Sequence, residues 1–197
     1  MIATFTGGSD RRRLKFAETV VREFGFVKAY GFRQVRGSAT FVRYESDRLF
    51  LNVFHGRGSY EIGIELGRLS SPELHYRLPV LVAALVREPI GQTVFQASNL
   101  HAVKKCVVEV ARILKEFCGA ALAGDSEAFR LIEKAAEAES ERVTLHAQFS
   151  AIIDRADQAW EAKELDLATS LYQKAQPALD EARSRRLEYL LGRTEKS

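Results

Sequence analysis

"YESDRLFLNVFHGRGSYEIGIELG", residues 44 to 67, is the stretch whose reading decides the fold. In its last part Tyr60, Ile62, Ile64 and Leu66 alternate with Glu61, Gly63 and Glu65. A period of two marks a strand with one face in a core and the other toward water. The run before it differs. Leu49, Leu51 and Val53 alternate with Phe50, Asn52 and Phe54. Apolar groups then occupy both faces, so this strand is expected to be central or covered twice. Ser46-Asp47 and Gly56-Arg57-Gly58 supply turn chemistry, and the two glycines are expected to take positive φ at a hairpin. Phe41 and Val42 lead an earlier strand. The sum is an antiparallel meander of three strands, or four if residues 32–36 join.

Helical signals flank the meander. Residues 9–30 predict a helix with the stripe Leu14, Ala17, Val20, Val21, Phe24 and Val27, capped by Ser9 or Asp10, with Gly25 an earlier stop and Gly31 a better one. Arg11, Arg12 and Arg13 would stand in its first turn, where cations oppose the helix dipole. They read as a solvated basic end or as a contact for an acidic partner. Beyond the meander, Ser71-Pro72 predict a short helical turn and Pro79 opens a second helix to about residue 87, ended by Pro89 and Gly91. The strongest stripe follows at about 98–123, through Leu100, Val103, Val107, Val110, Leu114, Phe117 and Ala121. Gly124 stops it, and Asp125 caps a further helix carrying Phe129, Leu131, Ile132 and Ala136. From about 140 to 193 the chain reads as helical, with Pro177 its one proline.

Of 197 residues, 46% are hydrophobic and 28% charged, enough to bury a core. The 29 basic and 26 acidic residues leave a net charge of +3, which lacks the excess of a nucleic-acid binder and weighs against that partner. Cys106 and Cys118 lie about 18 Å apart along one helix, beyond disulfide reach, and read as buried thiols in a reducing compartment. "MIATFTGGSDRRR" has no apolar secretory core, and "LPVLVAALV" at 78–86 is too short to span a bilayer. A cytoplasmic protein with no membrane partner is expected.

Signatures of chemistry are weak. His55, His75, His101 and His146 form no HExxH and no pair at helical spacing, and the cysteines have the wrong spacing for zinc. There is no GxSxG elbow and no kinase set. "TGGSD" at 6–10 lacks the Lys-Ser/Thr ending of a phosphate loop. Glu61 and Glu65 share a strand face, as solvent-facing glutamates commonly do. No catalytic residue, metal or cofactor is expected.

"AWEAKELDLATSLYQKAQPAL", 159–179, together with Ala156, resembles one tetratricopeptide-type helical hairpin: a turn near Lys163-Glu164, then Ala168, Tyr172 and Ala175. In that family small residues let two helices approach and the tyrosine fills the gap. Here the turn has no glycine, Pro177 comes early and no second copy follows, so the resemblance implies close helix packing rather than a solenoid groove. Trp160 is expected inside this hairpin. In "DEARSRRLEYLLGR", Glu181 and Arg185 form an i, i+4 pair, while Arg183, Arg186 and Arg193 share roughly one face, either solvated or docked on an acidic surface.

The order of helix, meander with "FVRYES" and "SYEIGIELG", short helical turn, long helix and "LAGDSEAF" over residues 10–137 resembles small bacterial families similar to immunity proteins encoded beside polymorphic toxins. The expected fold is α+β: a three- or four-stranded antiparallel sheet packed on the helices at 9–30 and 98–123. A 1–139 α+β domain and a 140–197 helical appendage are expected. The expected function is a non-enzymatic, immunity-like module that binds another protein by covering its surface. Arg43, Arg48, His55 and Arg57 are the candidate contacts, with the basic helix ends. A partner with a basic cleft would call for an acidic surface, which the balanced charge does not supply. The alternatives are a helical adaptor, self-association into a homodimer, and an enzyme with a dispersed site.

Overall fold

The computed structural model describes residues 11–86 and 90–194. Ser9, Asp10, "TGGSD" and Pro89 lie outside them. Helix α1 (Phe16–Glu23) is followed by a 3-10 turn (Phe24–Tyr30), strands β1 (Arg33–Ser38), β2 (Phe41–Glu45), β3 (Leu49–His55), β4 (Glu61–Arg68) and β5 (His75–Arg77), and helix α2 (Leu78–Leu85). Then come β6 (Phe95–Gln96), α3 (Leu100–Phe117), α4 (Gly119–Leu122), α5 (Ser126–Glu161), α6 (Leu165–Lys174) and α7 (Glu181–Thr194). The class is α+β.

The single helix expected over 9–30 is divided. Lys15 takes a left-handed φ of 49° just before α1, so the arginine triplet is outside that helix. After Glu23 the coil tightens to 3-10, in which residues three apart eclipse one another. That keeps Phe24 and Val27, both 0% exposed, on the core side. Gly31, at φ 81°, closes the turn as its sequence position suggests.

The sheet order is β1-β2-β3-β4-β5, with β6 also paired to β4. The meander is therefore present and β3 is central, antiparallel to both β2 and β4. Two short strands were not expected. Residues 75–77 form β5 rather than part of a helical turn, because His75, Tyr76 and Arg77 pair with Gly67, Leu66 and Glu65. Val42, Tyr44, Leu49, Leu51, Val53, Ile62, Ile64 and Leu66 are buried in one core with Phe16 and Val20 of α1 and Val103, Val107, Val110 and Leu114 of α3. Each such aliphatic side chain contributes about 1.5–3 kcal/mol relative to exposure. The long helix thus seals the apolar side of the sheet.

One core group is out of place chemically. The Tyr44 hydroxyl is buried without a hydrogen-bond partner among the described residues, and burial pushes its pKa up to about 12. An unsatisfied buried hydroxyl costs about 1–3 kcal/mol, so Tyr44→Phe should be neutral or stabilising by about 1 kcal/mol in a thermal melt. A clear loss of stability would mean that the hydroxyl has a partner.

Helix α3 begins at Asn99, whose side chain accepts from the Ala102 amide at 3.0 Å. It stops at Cys118, short of the expected residue 123. Cys118 is buried and its thiol is pushed up to about 12 by burial, whereas Cys106 is only half-buried. Gly124 turns at φ 76°, and Asp125 caps α5 by accepting from the Ala128 amide at 2.8 Å.

The chain divides into two compact units, Met1–Ala136 and Glu137–Ser197, the division falling inside α5. In the second unit Ala156, Ala159, Ala168, Leu171, Tyr172, Leu187 and Leu190 form a small core. Lys163, at φ 62°, takes the turn position where the expected hairpin lacked a glycine. Trp160 is half-buried and meets Tyr189 of α7 edge-on at 6.0 Å, so the third helix contributes to its surroundings.

Candidate functional site

The side of the sheet turned away from the core has its own organisation. In-register pairs place Phe41 beside Phe54, Arg43 beside Asn52 and Glu45 beside Phe50 between β2 and β3. Across to β4, Phe54 faces Gly63, Asn52 faces Glu65 and Phe50 faces Gly67. The glycines leave room for the rings: a Cβ on Gly63 would lie 2.5 Å from Phe54 Cζ. Each ring carries a guanidinium. Arg43 sits 4.4 Å from the centre of Phe50, Arg77 lies 5.6 Å from Phe54 and Arg36 lies 5.8 Å from Phe41. Such cation–π contacts hold a planar cation over an apolar surface.

Polar groups thread between the rings. Arg43 Nε donates to Glu45 at 2.7 Å and its Nη1 donates to Asn52 Oδ1 at 3.2 Å. Asn52 Nδ2 donates in turn to Glu65 at 2.9 Å, and His75 Nε2 stands 3.7 Å from the same carboxylate. Arg77 is 3.8 Å from Glu61. The face is therefore a lattice of aromatic, cationic and acidic groups spread over β2 to β5, with Phe50 and Asn52 buried within it and Phe41 and Phe54 half-exposed.

Of the expected contact residues, Arg43 belongs to this lattice. Arg48 is exposed at the β2–β3 turn, where it shares a shallow recess with Asp47, Arg68 and Ser126. His55 is displaced from the expected role: it is 2% exposed, on the core side of β3, and stacks on Phe16 at 5.6 Å. It has no surface to offer a partner. Its Nε2 donates to the Ala97 carbonyl at 2.8 Å, and Nδ1 accepts from Arg11 Nη1 at 3.1 Å. A guanidinium only donates, which assigns the neutral imidazole with its proton on Nε2. Burial lowers the His55 pKa, the Ala97 bond raises it and the Arg11 charge lowers it, for a net fall.

The hairpin that joins β3 to β4 also differs from expectation. Gly56 and Gly58 are not in the left-handed region; Tyr60 is, at φ 54°. At Gly56 a Cβ would press on the Ser59 hydroxyl, a side-chain end that can rotate away, while its backbone neighbours stand at ordinary contact distance. Arg11 holds the turn. It donates to the Arg57 carbonyl and lies 4.3 Å over the Tyr60 ring, which offsets the strain at Tyr60. The Arg57 side chain is exposed.

Two basic residues of α7, Arg183 and Arg186, are used internally. Arg183 Nη2 and Arg186 Nη1 donate to Asp157 at 2.7 and 3.0 Å. Among the described residues no three His, Cys, Asp or Glu side chains gather as a metal site, and no helix is long and apolar enough to cross a membrane.

The chain matches no family model, curated protein or solved structure.

The functional reading consequently stands on the sheet face. Strand alternation alone could have named Phe50, Phe54 and Arg43 as its members. Arg77 was out of reach, because residues 75–77 carried no strand signal of their own. Arg36 depends on an irregularity in β1 that only the register reveals.

Proposed function

We propose that the chain is a non-catalytic protein-binding module, immunity-like in acting by covering a partner's surface, and that the outer sheet face makes the contact. The carrying observation is that Phe41, Phe50 and Phe54 lie outside the core cluster, each beneath an arginine. Aromatic and arginine side chains are the groups most enriched at binding hot spots, where stacked, pre-ordered guanidinium groups lose little entropy on contact. The acidic groups Glu45, Glu61 and Glu65 within the same face argue for a mixed protein surface rather than a phosphate backbone. Half-buried and buried free thiols suit a cytoplasmic setting.

His75 and Arg77 test this reading with little risk to the core, since their side chains are 40% and 56% exposed. The full chain and its His75→Glu/Arg77→Glu variant would be immobilised and challenged with native-cell extract, with bound proteins quantified by mass spectrometry. A partner retained by the parent should fall at least about tenfold on the variant, as losing a hot-spot contact does. Identical retention by both chains would remove the sheet face from consideration.

A further inference from the structure

We infer that the free edge of β1 receives an extended, carboxylate-bearing segment of a partner protein as an added strand of the sheet. This rests on the protein-binding reading and specifies where part of the partner's chain goes. Among the described residues, strand β1 ends the sheet order and pairs only with β2. All 6 of its residues are exposed, Val35 at 45% among them. It buries nothing in the core cluster. The opposite side of the sheet is finished differently, by β5 of 3 residues and β6 of 2. Short edge strands of that kind offer little to an incoming chain, while a longer unpaired edge is a ready template.

The side chains select what can add. The β1–β2 register slips between Gln34 and Arg36. Arg33 and Arg36 are three apart, so regular alternation would place them on opposite faces. The bulge at Val35 instead sets Arg33 opposite Glu45 and Arg36 opposite Arg43, both on the outer face. Arg36 and Arg43 are then like charges directly across a ladder, an arrangement that costs stability by itself. Glu45 is already engaged by Arg43 at 2.7 Å. Neither Arg33 nor Arg36 has a carboxylate partner among the described residues. A second copy of this chain would bring its own Arg33 and Arg36 to the edge and be repelled. A strand with carboxylates at alternate positions would neutralise both arginines while its backbone pairs with β1. The same residues that block self-pairing therefore favour an acidic strand.

The test uses the full chain and three fluorescent peptides of about eight residues, alternating valine with glutamate, glutamine or lysine. Fluorescence anisotropy should show binding of the glutamate peptide, with the glutamine peptide about tenfold weaker and affinity falling with added salt. Arg33→Glu/Arg36→Glu, whose positions bury nothing, should lose the glutamate peptide and gain the lysine one. In hydrogen exchange, amides of residues 33–38 should become protected when the glutamate peptide is bound. His75→Glu/Arg77→Glu should leave peptide binding unchanged, which separates failure of the edge from failure of the face. No binding of the glutamate peptide up to about 1 mM, or equal binding of it by the Arg33/Arg36 variant, overturns the proposal. So would competition by a single-stranded oligonucleotide that binds more tightly, or protection of 33–38 by self-association without peptide.

Discussion

Replacing Gly67 by alanine should cost about 2–4 kcal/mol of stability in urea unfolding followed by far-UV circular dichroism, at the upper end of overpacking effects. Gly67 lies under the Phe50 ring on the outer face of β4. A Cβ there would come within 2.6 Å of Phe50 Cζ and 2.7 Å of the Leu74 carbonyl oxygen. The ring cannot simply swing aside, because Phe50 is 1% exposed and Arg43 packs on it at 4.4 Å. The carbonyl belongs to the backbone leading into β5, so relief at that point means shifting the chain that pairs with β4. Gly63→Ala should be milder. Its close neighbours are all atoms of Phe54, a half-exposed ring with room to move. A Cβ on Gly58 would meet nothing within 4 Å among the described residues, and its φ is not left-handed, so Gly58→Ala should stay within about 0.5 kcal/mol of the parent. If Gly67→Ala and Gly58→Ala melt alike, the ring is not seated as described, and the aromatic lattice loses its floor.

This glycine–phenylalanine fit shows how far sequence reading goes. Alternation over residues 49–66 states which side chains share a face, and the structure keeps the apolar set of Leu49, Leu51, Val53, Ile62, Ile64 and Leu66 together in the core. Local stop and cap chemistry at Gly31, Gly124 and Asp125 was equally readable, because each acts within a few residues of itself. What escaped depends on distant partners. Arg11 and His55 are 44 positions apart, and burial on the core side of β3, together with that contact, makes a neutral core group of a histidine expected to touch a partner. Tyr60 adopts the conformation expected of Gly56 or Gly58, with Arg11, 49 positions earlier, packed against its ring. The slip at Val35 leaves no local mark, since one extra residue in a polar edge strand changes no propensity. Yet it decides which face Arg33 and Arg36 occupy. The arginines of α7 have the pattern of a solvated face, and only folding shows that Asp157, 26 and 29 positions earlier, draws Arg183 and Arg186 toward it.

Asp157→Ala should lower the stability of the second unit by about 2–3 kcal/mol, somewhat less than a fully buried ion-pair loss because water still reaches the arginines. The carboxylate gathers three donors. Tyr172 Oη donates to Oδ1 at 2.6 Å, Arg183 Nη2 to Oδ2 at 2.7 Å and Arg186 Nη1 to Oδ1 at 3.0 Å. Removing it leaves the 0% exposed Tyr172 without its acceptor and sets two guanidinium groups together with no charge between them. Arg183 retains Asp180 at 2.5 Å, so the loss falls mainly on Tyr172 and Arg186. The sole tryptophan reports the outcome. Trp160 lies 5.6 Å from Arg186 and 6.0 Å from Tyr189, so its fluorescence should follow unfolding of these helices. The pH dependence has a definite sign. Burial pushes the Asp157 carboxyl upward, but hydrogen bonds from Arg183 and Tyr172 and the charges of Arg183 and Arg186 outweigh it and hold the pKa below the ordinary 3.8. A group depressed on folding contributes stability that is complete above its unfolded pKa and disappears as pH falls through the folded one. The parent should therefore lose Trp160-detected stability as pH drops below about 3.8, and Asp157→Ala should lack that component of the loss. Parallel pH profiles for the two proteins would show that the carboxylate does not hold the helices. A Tyr172→Phe variant losing only about 1 kcal/mol would assign the rest of the Asp157 effect to the arginines.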